Sequence, residues 1–89
     1  MKTNEVKNEL KQNALWYLKS QLENAESAIK SAKENAKNTE NVLFKHSHEN
    51  NEQLFTFFRE KVEENNAKAE TNEKIAAIMR EAIQKIESL

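Results

Sequence analysis

Lys45-His46-Ser47-His48-Glu49-Asn50-Asn51 is the most polar stretch of this 89-residue chain, and it lies between two long apolar seams. Upstream, Leu15, Leu18, Leu22, Ala25, Ile29, Ala32, Ala36, Thr39 and Leu43 alternate steps of three and four, the a/d repeat of a coiled coil. Downstream, Phe55, Phe58, Val62, Asn65, Ala69, Asn72, Ala76, Met79, Ile83 and Ile86 keep the same alternation. A short polar connection returns the chain alongside itself, so the pattern predicts an antiparallel helical hairpin. The expected elements are one helix over about 3–44, a turn over about 45–49 and a second helix over about 50–89, all within a single domain, 1–89. Ser47 is placed to cap the second helix with Glu49 in its first turn, and Thr3 or Asn4 to cap the first.

The remaining composition agrees with an all-α fold. Gly and Pro are absent, so nothing in the chain must interrupt a helix, and Glu26–Lys30, Glu64–Lys68, Glu70–Lys74 and Glu81–Lys85 stand at the favourable i,i+4 spacing. One alternative to the hairpin is a three-helix bundle, with Thr71 or Asn72 capping a third helix at a break near 70–73.

The same absences narrow the function. Without Gly there is no phosphate-cradling loop, nucleophile elbow or dinucleotide fingerprint, each of which needs backbone at positive φ or in close approach. Without Cys there is no thiolate zinc site and no thiol nucleophile. Ser20, Ser27, Ser31, Ser47 and Ser88 have no base-and-orienter set beside them. Glu60, Glu63 and Glu64 are the densest carboxylates, but acid/base work needs a pocket that desolvates one of them, and a two-helix rod offers none. The expectation is a protein that is not an enzyme and takes no cofactor.

Charge names no partner. Residues 1–44 carry seven Lys against six Glu and residues 45–89 seven Lys/Arg against nine Glu, for a net charge of −1. No basic face stands out to neutralise phosphates, so direct nucleic-acid binding is not expected. The longest apolar runs, 14–18 and 75–79, are too short to span a bilayer, and Met1–Lys7 lacks the apolar core of a signal peptide. A cytoplasmic protein without membrane contact is the expectation.

Ten of the apolar residues are alanines, so a lone hairpin buries little and association into a four-helix arrangement, most simply a homodimer, is expected. Leu10, Trp16, Tyr17, Ile75 and Ile78 fall off the a/d seams toward the terminal end and are the candidate self-association residues. At the other end Phe44 and Phe57 are hard to bury between two helices; with His46 and His48 they form the candidate partner-binding set. His46-Ser47-His48 with nearby Glu49 and Glu52 also suggests a metal-responsive turn, although an i,i+2 spacing makes the rings diverge, and no metal site is assigned. Asn65 and Asn72, one heptad apart on the seam, are candidates for selecting register.

The length and hairpin layout resemble secreted proteins of the WXG100 type, but there is no Trp-x-Gly at the turn and the one tryptophan is Trp16. The Pro-bearing turn of type III secretion needle subunits is likewise absent. Ala32-Lys33-Glu34-Asn35-Ala36 is similar to a piece of the coiled-coil arm of Gre-type transcript-cleavage factors, whose acidic tip has no match at His46–Glu49. No site is carried over from these families. The sequence therefore points to a non-enzymatic interaction module, a self-associating hairpin that presents its turn end to a protein partner. The alternatives are a small inhibitor of phage or mobile-element type that occludes a host enzyme or nuclease, and the metal-responsive module.

Overall fold

In a computed structural model, residues 2–47 and 51–89 are described. They form two α-helices, α1 (Lys2–Lys45) and α2 (Glu52–Glu87), packed against each other as a hairpin measuring 73 × 15 × 13 Å. All nineteen expected seam residues, from Leu15 to Leu43 and from Phe55 to Ile86, are buried or half-buried. α2 runs without a break through 70–73, where the Asn72 amide donates to the Lys68 carbonyl at 2.9 Å instead of capping a new helix. The three-helix alternative is thereby excluded.

The helix ends depart from expectation. Thr3 and Asn4 lie inside α1. The Ser47 backbone N–H donates to the Phe44 carbonyl at 3.3 Å, so Ser47 finishes α1 and does not start α2. The cap of α2 is Asn51, whose side-chain oxygen accepts from the Leu54 N–H at 3.3 Å and satisfies one of the orphan donors of the first turn. Glu49 lies outside the described residues.

The middle of the seam is built from alanine. Ala25, Ala32, Ala36, Ala69 and Ala76 are all buried, Ala76 completely, and such small side chains let the two backbones approach closely. Larger residues fill the seam toward the ends, with Leu15 and Ile83 buried at the terminal end. The polar seam residues are satisfied locally. Thr39, Asn65 and Asn72 each donate to the carbonyl four residues earlier in their own helix, at 2.8–2.9 Å. Among the described residues no buried side-chain N or O lacks a partner.

The two flanks of the seam differ in chemistry. With Leu15 as a heptad a position, Glu26 and Lys33 of α1 and Glu73 and Arg80 of α2 are e positions. The pairs Lys33–Glu73 (2.8 Å) and Glu26–Arg80 (3.2 Å) bridge the helices on that flank. Each bridge is about half exposed, so its contribution is on the order of 0.2–1 kcal/mol. Glu26 thus leaves its helical neighbour Lys30, and Glu64 pairs with Lys61 at 3.0 Å, whereas Glu70–Lys74 and Glu81–Lys85 form as expected.

The opposite flank, made of g and c positions, carries no charge on α1 between Leu10 and Val42. Its positions are Leu10, Ala14, Tyr17, Gln21, Asn24 and Ala28, continued by Ser31, Asn35, Asn38 and Val42. On α2 the flank is charge-free over Thr71, Ile75, Ile78 and Ala82; Lys61, Glu64 and Lys68 occupy it nearer the turn, and Lys85 bounds the stretch toward the C-terminus.

A rod of this kind leaves much surface wet. The accessible area is 7294 Å², against about 5,400 Å² for a compact monomer of this mass.

Candidate functional site

The turn end holds an apolar hollow of about 250 Å³. The first and last turns of the two helices build it: Val42 and Leu43 from the end of α1, Leu54, Phe55 and Phe58 from the start of α2, with His46 and Asn51 at its polar edge. The seam residues Leu43, Phe55 and Phe58 are only half-buried. Val42 and Leu54 are both g positions, which places this side of the hollow on the g/c flank.

Phe57 stands beside this hollow, half exposed. Its ring meets Phe58 edge-on, with centroids 5.4 Å apart at 76°, and the Lys61 ammonium lies 5.5 Å from the Phe57 centroid. The edge contact and the cation–π contact hold the ring in place without covering it. Phe44 is 81% exposed and occupies a b position, on the ionic side, where it cannot line the hollow. His46 joins the site, its backbone N–H donating to the Val42 carbonyl at 3.2 Å. His48 lies outside the described residues. Of the four residues read from sequence as partner-binding, His46 lines the hollow, Phe57 stands against its lining residue Phe58, and Phe44 is on the far flank. Val42 and Leu54 were missed; the signal was available in their g positions next to the last seam layer.

The candidate self-association residues divide in the same way. Leu10, Tyr17, Ile75 and Ile78 share the uncharged flank, with the half-buried Ala14 and Ala82 between them. Trp16, 72% exposed, is a b position on the ionic side and stands apart from that group.

Among the described residues no group of three or more His, Cys, Asp or Glu side chains is placed to hold a metal ion. A shallow groove on the ionic flank is lined by Glu26, Lys33, Glu73 and Arg80, which form the two interhelical bridges, and also by Lys30 and Glu34. Among the described residues no helix is long and apolar enough to cross a membrane. No family model matches the chain, and neither curated proteins nor solved structures give a match.

Proposed function

We propose that this chain is a non-enzymatic protein–protein interaction module of the cytoplasm: a hairpin that self-associates through its terminal end into a four-helix arrangement and offers its turn end to a protein partner. The apolar hollow at the turn, with the exposed Phe57 ring at its side, carries this reading. A concave apolar site next to an aromatic anchor is suited to receiving a side chain of another protein. The large accessible area supports the self-association half, since two such rods gain from covering one another.

Affinity capture from the native host with the wild-type chain and with Phe57→Ala, read by mass spectrometry, tests the turn-end surface. A partner retained by the wild type and weakened by about 1–3 kcal/mol in Phe57→Ala, with helicity and oligomeric state unchanged, supports it. Loss of helicity in Phe57→Ala makes this ring core and removes it from the surface. If the captured partner is an enzyme or nuclease whose activity falls on binding, the inhibitor reading takes the place of the scaffold reading with the same surface.

A further inference from the structure

Resting on the self-association reading, we propose which face mediates it: the terminal half of the uncharged flank pairs with the same face of a second copy, leaving the ionic flank and Trp16 outside. The first argument is charge. Near a two-fold axis each residue of an interface meets its own kind, so a charged residue there faces a like charge. In a chain that is one third charged, the charged residues of α1 between 10 and 42 avoid the g and c positions altogether. A foreign partner can be matched by complementary charges, whereas a self-pairing face is best without any.

The second argument is the distribution of large apolar groups. Leu10, Tyr17, Ile75 and Ile78 converge on this half of the flank, Ile78 with 64% of its surface exposed. Charges bound the self-compatible stretch of α2 on both sides: Lys85, paired within its own helix to Glu81, toward the C-terminus, and Lys61, Glu64 and Lys68 toward the turn, which keep the hollow outside the contact. The third argument is size. From Leu10 to Ala28 the face runs about 30 Å along α1 at 1.5 Å per residue and is about 15 Å wide. Such a corrugated strip covers on the order of 500 Å² per copy, so that a dimer buries about 1,000 Å², the lower edge of specific interfaces. An interface of this size fits a dimer in exchange with monomer, its affinity set by packing more than by area.

Two matched variants test the face. Gln21→Glu with Asn24→Glu places two charges on the g/c flank; Gln12→Glu with Asn13→Glu changes the same residue types on the same helix at e and f positions. All four positions face solvent or are only half-buried, so the hairpin itself should tolerate the changes, which circular dichroism checks. Sedimentation equilibrium from about 1 to 500 µM should give a wild-type dimer, a dissociation constant raised at least tenfold in the first variant, and one within about threefold of wild type in the second. A dimer that ignores the first variant, or that Trp16→Glu abolishes, overturns the assigned face while leaving self-association standing. A monomer throughout the range overturns both.

Discussion

At the turn end the apolar surface is concave, with the half-buried Phe55 and Phe58 among the residues that line the hollow. At the terminal end the surface is raised: Leu15 and Ile83 close the seam, and Tyr17 and Ile78 project from the flank. The two ends obey one heptad, yet one suits an inserted side chain and the other a broad companion face. What separates them is whether the large residues sit in the seam or beside it.

The difference has an energetic side that mutation can break. Ile83→Ala removes a buried side chain and should lower unfolding free energy by about 2–4 kcal/mol. Phe58→Ala, at the open lip of the hollow, should cost about 1–2 kcal/mol. Denaturant melts of both at one protein concentration decide it; an equal or reversed order would mean that the turn end is the better-packed one. The next largest effect concerns the raised surface. Ile78→Glu should weaken self-association by about 2 kcal/mol through the buried unpaired carboxylate while leaving capture by a turn-end partner unchanged. Loss of both activities together would show that the ends are not independent. The smallest effect belongs to the ionic flank common to both halves: Glu26→Lys places a like charge beside Arg80 and should cost on the order of 0.5 kcal/mol, fading in high salt.

Fold and site were unequally legible. The hairpin could be read because burial follows the three-four spacing at every seam position, and because no Gly or Pro competes with helix. The start of α2 was misplaced. Ser47 and Asn51 are both competent caps, and only the hydrogen bond from Leu54 distinguishes them. Trp16 and Tyr17 are neighbours in sequence and were grouped by hydrophobicity, but adjacent helical residues point about 100° apart, which puts them on opposite flanks. The hollow was not legible from the a/d pattern alone, since Val42 and Leu54, which lie off that pattern, help to line it. The seam asparagines were read as candidates for fixing register, yet their amides bond back to Lys61 and Lys68 and reach no partner across the interface.

That last feature shifts the task of alignment to the flank. With the seam amides bonded within their own helix, a lengthwise slide of one helix by a single heptad breaks no hydrogen bond that these amides make. The ionic pairs respond differently, because the signs alternate along each helix. Moving α2 by seven residues in one direction brings Lys33 to Arg80 and Glu26 to Glu87; moving it the other way brings Glu26 to Glu73 and Lys19 to Arg80. Either slip turns attraction into repulsion at two places at once. Each bridge is a minor contributor to stability, but together they act as a vernier scale that marks a single setting of an otherwise sliding joint.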